Sequence, residues 1–410
     1  MRGRLQLWTI YFHPEPTGIA PVSTALARLL SDRGWSVDVV AAQPHYPEPR
    51  WGRRRLPSQE TINGIRVTRV PLMAGRDTKG ARLRQELSFS AALAAASPFL
   101  GRPLLPRPDL MLVASPSFPA LVPAIANSGL RRLPLVLWLH DILPDGAATT
   151  GLLEEGSFVL RASRRLERAA YRAADRIVVL SKPFEDNLLA KDVPPEKIEL
   201  IYDPATMGIP ATPPAREVSG SPRLISMGNI GLTQGLAELV RAFEASEEME
   251  HRDVHLTITG TGVAADGVRA EIRSRRTQMP GLLDDGALAA ELARADLALV
   301  TQSFEGTEFN LPSKLMNFMA QALPVIAAVN PGSEVARLVN ESGAGWIADS
   351  SRPEQLPETI AEALDDPDGM KRRGAAGHAY ARERFSDESF ALGFDELLGQ
   401  VLARRARVRR

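Results

Sequence analysis

One stretch near the start of the chain, residues 5–30, reads LQLWTIYFHPEPTGIAPVSTALARLL. It begins with a short apolar run and continues through a loop of proline and glycine. Apolar residues then recur at the i, i+3, i+4 and i+7 spacing of one helix face, at Val22, Ala25, Leu26, Leu29 and Leu30. The stretch predicts a buried strand, a loop and an amphipathic helix.

The same alternation continues through both halves of the chain. In the first half, short apolar runs predict further strands at 37–42, 65–70, 110–114, 135–139, 177–180 and 198–202. In the second half, they predict strands at 223–227, 254–259, 297–301 and 325–328. Strands that alternate with helices form parallel sheets covered on both faces. The predicted fold class is α/β, with two Rossmann-like doubly wound domains that face each other across a cleft.

A stretch rich in proline and glycine, without periodicity, separates the two series. We therefore predict an N-terminal domain over residues 1–205, a linker over 206–222 and a C-terminal domain over 223–385. Residues 386–410 are interpreted as a helix with a basic tail, for which packing back on the N-terminal domain is one arrangement. Ligands of such sheets bind outside the carboxyl ends of the strands.

The size and composition of the chain fit two globular domains. Its 410 residues exceed the roughly 250–300 at which single cores stop growing. The hydrophobic fraction of 44% and the charged fraction of 24% are ordinary for such domains. The 49 basic and 49 acidic residues cancel, so no net field favours nucleic acid as a partner. Without cysteine, the chain has no disulfides, thiol nucleophiles or cysteine-bound zinc.

No signal-peptide pattern follows the N-terminus, which predicts a cytoplasmic protein. The most apolar stretch, residues 87–105, contains serine, proline, glycine and arginine and is not expected to span a bilayer. Because Lys79, Arg82 and Arg84 precede it, peripheral contact with an anionic inner membrane is one interpretation. Ordinary helix packing is the other.

Two glycine-containing loops follow predicted strands of the second half, and their candidate residues are Gly228, Asn229, Gly231 and Gln234 in the first and Gly260 and Gly262 in the second. Glycines let the backbone approach a diphosphate closely at the start of a helix. A plain glycine-rich connection would explain the first loop too, and the second is a weak signal alone.

Residues 305–317, EGTEFNLPSKLMN, form the most informative segment. Ser313 can cap a helix that begins near Lys314, which would place a hydroxyl, a lysine and N–H groups at one helix N-terminus. This arrangement is typical of an anion site, and a capped surface helix with a solvated lysine is the alternative. In the first half, strand 135–139 ends in His140 and Asp141, where an imidazole can bind a sugar hydroxyl or transfer a proton. A structural histidine is the alternative there.

At these residues the chain resembles the retaining GT-B glycosyltransferases grouped as family 4, and within them the colanic acid biosynthesis glycosyltransferases. The resemblance extends over nearly the whole chain. It is carried by the motifs PEPTGI (14–19), HYP (45–47), NGIRV (63–67), HD (140–141), ADRI (174–177), GNIG (228–231), QGL (234–236), ADLAL (295–299) and LPSKL (311–315). Together these motifs are specific, and singly none is.

The resemblance implies that the N-terminal domain binds an acceptor and the C-terminal domain a nucleotide diphosphate sugar. It also implies retention of anomeric configuration and no metal or other cofactor. The acceptor stays open between a glycan, a lipid-linked sugar and a small molecule. The implied catalytic residues are His140, Asp141 and Lys314. The implied donor-binding residues are Gly18, Gly228, Asn229, Gly231, Gln234, Gly260, Gly262, Glu308, Asn310, Leu311, Ser313, Lys314 and Asn317.

The chain departs from the family pattern at two places. Two glutamates of the wider family correspond to Phe309 and Asn317, where Asn317 can still bind a ribose hydroxyl and Glu308 is a replacement one residue away. Asn229 and Gln234 stand where an arginine and a lysine are usual. These departures keep a non-catalytic nucleotide-sugar-binding subunit open as an alternative. A nucleotide-sugar epimerase is a second alternative, which would need carboxylates placed for proton abstraction.

Overall fold

The computed structural model describes residues 2–16, 18–45, 56–73, 79–96, 107–115, 117–140, 157–214, 220–304 and 311–408. The chain divides into two compact units. The first unit comprises Met1–Asp203 with Asp387–Arg410, and the second comprises Pro204–Ser386. The stretch interpreted above as a linker therefore belongs, from its first residue, to the second unit.

The first unit is built on one sheet, whose described strands have the order β3-β4-β2-β1-β5-β6-β7-β8. The strands are β1 Gly3–Thr9, β2 Trp35–Ala42, β3 Ser58–Ile62, β4 Ile65–Val70, β5 Leu110–Ser115, β6 Leu135–Leu139, β7 Arg176–Val179 and β8 Ile198–Leu200. All neighbouring pairs are parallel except β3 and β4, which are antiparallel. The carboxyl ends of the parallel strands therefore meet at one edge.

Helices cover both faces of this sheet, and they are α1 Ala20–Asp32, α2 Lys79–Ala96, α3 Leu121–Arg131, α4 Phe158–Ala173 and α5 Lys182–Ala190. One-turn 3-10 helices lie at Phe118–Ala120 and Pro195–Lys197. Parallel crossovers are right-handed. The connections through α3 and α4 run in the same direction across the sheet, so these helices share one face, and α3 contacts both α2 and α4.

The second unit has a sheet of parallel strands in the order β11-β10-β9-β12-β13-β14. Its strands are β9 Arg223–Met227, β10 His255–Thr259, β11 Thr277–Gly281, β12 Leu297–Thr301, β13 Val325–Val329 and β14 Gly345–Asp349. A 3-10 turn lies at Leu232–Gln234. The helices are α6 Leu236–Ala245, α7 Glu247–His251, α8 Ala265–Glu271, α9 Asp285–Arg294, α10 Ser313–Ala320, α11 Glu334–Ser342, α12 Gln355–Asp365 and α13 Pro367–Arg384. The predicted α/β class is confirmed.

The last helix, α14 Asp387–Val408, returns to the first unit. Phe390 and Phe394 of this helix are buried in the core of the first unit, in contact with Trp138. Asp395 is buried as well and accepts a hydrogen bond of 2.8 Å from Trp35 Nε1. The C-terminal segment is thus part of the first unit's core. None of the helices in the described ranges combines the length and apolar character needed to cross a bilayer.

Three strands of the described ranges were not predicted: β3, β11 and β14. All three lie at the edge of a sheet. An edge strand exposes one side, so its sequence need not be a continuous apolar run. In β11 the sequence TQMPG even contains a proline, which a central strand would not tolerate.

Candidate active site

A pocket of about 390 Å³ opens at the carboxyl edge of the second unit's sheet. It is formed by the loops that follow β9, β10 and β11, by the first turns of α10, and by the segment just after Asp203. Its lining residues are Thr206, Met207, Met227, Gly228, Asn229, Gln234, Thr259, Gly260, Leu282, Leu283, Leu288, Pro312, Ser313, Lys314 and Asn317. Ligands of parallel α/β sheets bind at this edge.

Two glycine loops meet at these strand ends. Gly228 N donates a hydrogen bond of 2.9 Å to Thr259 O, and Ile230 N donates one of 2.9 Å to Thr261 O. A Cβ atom at Gly260 would lie 1.8 Å from Gly228 O, and one at Gly262 would lie 2.2 Å from Ile230 O. Gly260 also has a φ of +130°, which favours glycine. Glycine is therefore required at both positions by the close approach of the two backbones.

The lysine of the LPSKL motif is buried at the pocket. Lys314 is only 8% exposed, and its Nζ donates a hydrogen bond of 3.0 Å to Gln234 Oε1. Its Cε lies 3.9 Å from the position a Cβ would take at Gly228. Because Lys314 is the second residue of α10, its ammonium adds to the positive end of that helix. The pocket therefore combines a cation, a helix N-terminus and an exposed glycine backbone, which together favour an anion.

The prediction that Ser313 caps α10 is wrong. Pro312 occupies the N-cap position with an extended ψ of 125°, and no side chain caps the helix. Ser313 is already the first helical residue. Since capping requires a residue outside the helical conformation, Ser313 is not the N-cap, although it lines the pocket as expected of a residue at this helix start.

Asn317 holds the segment that enters the second unit. Its Oδ1 accepts a hydrogen bond of 3.1 Å from Met207 N, and its Nδ2 donates one of 3.0 Å to Thr206 Oγ1. Both ends of the amide are thus engaged by the chain itself. Sequence reasoning missed Thr206 and Met207, because they lie in a stretch without periodicity that was assigned to the linker. The predicted contact between Asn317 and a ribose stays a prediction.

At the carboxyl edge of the first unit's sheet, His140 follows β6. Its ring packs edge-on against Trp138 with 4.5 Å between centroids, and its Nδ1 lies 3.7 Å from Asp203 Oδ2. Burial lowers the pKa of His140 to about 3 and raises the pKa of Asp203 to about 7. The imidazole is therefore neutral at pH 7. Sequence reasoning did not find Asp203, since nothing in the pattern after β8 indicates that its carboxyl is partly buried beside His140.

The loop with Gly18 lies at the same edge of the first unit. Gly18 has a φ of +65°, a conformation that favours glycine. The nearby Glu15 is buried, and its carboxylate accepts a hydrogen bond of 2.9 Å from His45 N and one of 3.4 Å from Phe12 N. Glu15 thereby ties the loop after β1 to the segment after β2. The PEPTGI and HYP motifs meet through this carboxylate.

The predicted site residues fall into four groups by their location. The pocket of the second unit brings together Gly228, Asn229, Gln234, Gly260, Ser313, Lys314 and Asn317. Three more lie in the second unit outside the pocket lining: Gly231, Gly262 and Leu311. Gly18 and His140 belong to the first unit. Asp141, Glu308 and Asn310 lie outside the described residues.

Comparison with known proteins relates both halves of the chain to glycosyltransferases. The family model of the glycosyl transferase 4-like domain matches residues 17–204, and that of the glycosyl transferases group 1 matches residues 212–380. WbjE of Pseudomonas aeruginosa, named as a probable glycosyltransferase, is 27% identical over 247 residues, which cover 56% of this chain and 60% of that protein. WcaI of Escherichia coli, a glycosyl transferase named for colanic acid biosynthesis, is 24% identical over 386 residues, which cover 87% and 90%.

Solved structures agree on the fold. The sucrose-phosphate synthase of Thermosynechococcus elongatus has a TM-score of 0.70 at 18% identity, with 98% of this chain and 99% of that chain covered. The Anabaena protein HepE, solved in complex with UDP-glucose, has a TM-score of 0.63 at 15% identity, with 97% and 100% covered. Both likenesses are evidence of the fold alone. From the two family models and this fold, the chain belongs to the family 4 glycosyltransferases of the GT-B type, enzymes that transfer sugar from a nucleotide sugar.

Proposed function

We propose that this protein transfers a sugar from a nucleotide diphosphate sugar to a glycan, lipid-linked or small-molecule acceptor, with retention of anomeric configuration and without a bound metal. One observation carries the proposal. The pocket of the second unit sets the buried Lys314 and the first turn of α10 beside the backbone of Gly228 and Gly260. A diphosphate is the anion that this combination of cation, helix end and close backbone suits.

The rest of the pocket suits a nucleoside. Its volume of about 390 Å³ lies within the range of small-molecule sites, roughly 300–1,000 Å³. Leu282, Leu283 and Leu288 supply an apolar wall, against which the flat face of a base can pack. The pocket thus has an apolar part for the base and a cationic part for the diphosphate.

During transfer, the bond between the anomeric carbon and the diphosphate oxygen breaks, and the acceptor hydroxyl forms the new bond to that carbon. Negative charge grows on the departing diphosphate, so donors fixed in advance around it lower the barrier. Lys314 and the N-terminus of α10 are the proposed donors. The acceptor's proton leaves with the diphosphate. His140, neutral at pH 7, is the proposed catalytic residue of the first unit, where it can hydrogen-bond a sugar hydroxyl.

A non-catalytic nucleotide-sugar-binding subunit is the second candidate, and one observation favours it. Among the described residues that line the pocket, Lys314 is the only lysine or arginine. Asn229 and Gln234 stand where a second and third cation would neutralise the leaving group. A single cation is enough to bind a donor but gives less stabilisation to a departing diphosphate.

The test starts with a thermal-shift screen of nucleoside diphosphates and their sugars. A ligand at 100 times its Kd stabilises the folded protein by about 2.7 kcal/mol. The donor found is then incubated with water, glycan and glycolipid acceptors, and nucleoside diphosphate release is measured with and without chelator. We expect acceptor-dependent release that survives chelation, is largely lost in His140→Ala, and gives a product of unchanged anomeric configuration by NMR.

The binding and release assays can contradict each part of this function separately. Binding without release under any condition would favour the non-catalytic subunit. A loss with chelator that magnesium restores would contradict the metal-independent mechanism. An inverted product would contradict retention, and a protein that binds no nucleotide would overturn the proposal as a whole.

A further inference from the structure

Two polar side chains of the second unit's pocket differ in what they can offer a ligand. Asn317 is only 6% exposed, and both ends of its amide are engaged. Its Oδ1 accepts a hydrogen bond of 3.1 Å from Met207 N, and its Nδ2 donates one of 3.0 Å to Thr206 Oγ1. Thr206, in contrast, is an exposed residue that lines the same pocket. A ligand in the pocket can therefore reach Thr206 more readily than Asn317.

The Thr206 hydroxyl keeps hydrogen-bonding capacity after its contact with Asn317. A hydroxyl has one hydrogen and two lone pairs, and Asn317 Nδ2 occupies one lone pair. The hydroxyl also lies 3.4 Å from Asn317 Oδ1, which is long for a hydrogen bond donated by a hydroxyl. It can therefore turn its hydrogen toward a ligand and accept a second hydrogen bond from it. A pair of neighbouring hydroxyls on a ligand matches one donor and one acceptor.

Thr206 belongs to an entry segment, residues 205–211, that is fixed along its length. Besides the contacts with Asn317, the segment is joined to the helices and loops of the second unit by hydrogen bonds between Ala205 N and Phe385 O (2.8 Å), Gly208 O and Gln321 Nε2 (3.2 Å), Pro210 O and His378 Nε2 (3.0 Å), and Ala211 O and Arg382 Nη1 (3.1 Å). The Thr206 hydroxyl is thus held in place before a ligand arrives. A polar group that is fixed in advance loses little entropy on binding.

The place of Thr206 in the pocket suits the ribose of a nucleotide. Asn317 follows Lys314 by three residues on α10, so the two side chains lie on the same face of the helix, one turn apart. Lys314 is the proposed contact of the diphosphate, and the three leucines form the proposed wall for the base. In a nucleoside diphosphate, the ribose joins these two parts. A hydroxyl held by Asn317, one helical turn from Lys314, is therefore placed for the ribose.

We propose that the pocket selects sugars carried on ribonucleoside diphosphates, because the Thr206 hydroxyl binds the two neighbouring hydroxyls of the ribose. Asn317 acts through Thr206 as a positioning residue and does not itself contact the ribose. The inference rests on the proposed function and narrows its donor class. Sugars carried on deoxyribonucleoside diphosphates lack the 2′-hydroxyl, so they leave part of the hydrogen-bonding capacity of Thr206 unused and bind more weakly.

The experiment measures the affinity of the full chain for UDP, GDP, ADP and CDP, each beside its 2′-deoxy counterpart, by isothermal titration calorimetry. The quantity compared is the ratio of the two affinities for each base. Thr206→Val removes the hydroxyl and keeps the shape of the side chain, whereas Thr206→Ser keeps the hydroxyl. Thr359→Val is the matched control, because the Thr359 hydroxyl donates a hydrogen bond of 2.8 Å to Gln355 O within α12, outside the pocket lining.

We expect the wild type, the control and Thr206→Ser to prefer the ribonucleotide of the base that binds by about 10-fold. In Thr206→Val, affinity for the ribonucleotide should fall by about 10-fold and the ratio should approach one. Circular dichroism checks that every variant is folded. Equal affinity of the wild type for the two members of each pair would overturn the proposal. So would a folded Thr206→Val protein that keeps the preference of the wild type.

Asn317→Ala separates the positioning role from direct contact. If Asn317 acts through Thr206, the preference for the ribonucleotide should fall in Asn317→Ala, and the double variant with Thr206→Val should show no further fall. A preference that is lost in Asn317→Ala but kept in Thr206→Val would mean that the ribose contacts Asn317 directly, and would overturn the proposal. Binding of none of the eight nucleotides would be a different result, since it would contradict the proposed function and this inference together.

Discussion

The carboxyl edges of the two sheets are built in different ways. In the first unit, polar side chains occupy this edge: the buried Glu15 joins two loops, and the partly buried His140 faces the partly buried Asp203. In the second unit, the loops approach through glycine backbones and leave a pocket of about 390 Å³. The same alternation of strands and helices thus produces one edge held by side chains and another shaped by the main chain.

The contrast extends to the surrounding contacts. In the first unit, Arg69 is buried below this edge and hydrogen-bonds Ala42 O at 3.2 Å, His13 O, and Glu60 Oε1 at 2.6 Å. His45 stacks on Tyr11 with 5.1 Å between ring centroids. In the second unit, backbone hydrogen bonds connect the two glycine loops instead. We infer that the carboxyl edge of the first unit's sheet is stabilised by contacts between side chains. The carboxyl edge of the second unit's sheet is stabilised by close contacts between backbones, which require glycine.

The largest effect is expected for Gly260→Ala. The new Cβ would lie 1.8 Å from Gly228 O, at a φ of +130°. Backbone strain and the clash together should cost about 4 kcal/mol or more, seen as loss of the second unit's thermal transition. Gly267→Ala is the control, since a Cβ there meets nothing within 4 Å and lies in helix α8. The control should be slightly more stable than the wild type. Equal thermal stability of the two variants would show that the close approach of the two glycine loops does not require glycine at position 260.

Glu15→Ala should have the next largest effect. It leaves the buried N–H groups of His45 and Phe12 without their carboxylate acceptor and removes the partner 3.2 Å from His45 Nδ1. We expect a loss of about 3–4 kcal/mol in the stability of the first unit, measured by tryptophan fluorescence during chemical unfolding. Glu15→Gln keeps one carbonyl acceptor and should lose about half as much. Nucleoside diphosphate affinity should stay within about twofold, because the pocket belongs to the other unit. If Glu15→Ala is as stable as the wild type, side-chain contacts do not stabilise this edge of the first unit.

The pair His140 and Asp203 predicts a pH dependence. Folded Asp203 keeps its proton up to a pKa of about 7, whereas the unfolded carboxyl loses its proton near 3.8. Its contribution to stability is therefore present at low pH and lost as the pH rises through 7. His140 has the opposite sign: its folded pKa of about 3 lies below 6.5, so its contribution is lost as the pH falls below 6.5.

The variant Asp203→Asn isolates the carboxyl. The unfolding free energy of the wild type, minus that of the variant, should decrease by about 3 kcal/mol between pH 5 and pH 8. In the variant, the contribution of Asp203 is absent, while that of His140 still increases as the pH rises from 5 toward 6.5. A difference that does not change with pH would mean that Asp203 is ionised in the folded protein, and that His140 and Asp203 do not face each other as neutral groups.

The sequence patterns predicted the central strands of the two sheets better than most of the edge strands. The runs at 135–139, 223–227 and 297–301 coincide with β6, β9 and β12, because a central parallel strand is buried on both faces and its whole sequence is apolar. The edge strands β3, β11 and β14 have mixed sequences and were missed. The glycine at position 260 is visible in the sequence, but its contact with the backbone of Gly228 is not, because Gly228 lies about thirty residues earlier in the chain.

Contacts between side chains that are distant in the sequence could not be predicted either. Asn317 binds Thr206 and Met207, which precede it by 111 and 110 residues. Nothing local in a proline-rich stretch indicates that its first residues meet the helix of the LPSKL motif. Asp203 is comparable, because its burial and its distance to His140 depend on the parallel order of β6, β7 and β8. Such contacts follow from topology rather than from spacing.

The central claim is that the second unit's edge binds a diphosphate through Lys314, and isothermal titration calorimetry of Lys314→Ala tests it most directly. The titrants are the nucleoside diphosphate found in the screen and its free nucleoside. Lys371→Ala, an exposed lysine of α13, is the control. Because a charged hydrogen bond contributes about 1.5–3 kcal/mol, diphosphate affinity should fall by roughly 10- to 150-fold while nucleoside affinity and the control stay unchanged. An equal loss for both ligands would mean that Lys314 supports the fold, and no loss for either would place the diphosphate elsewhere.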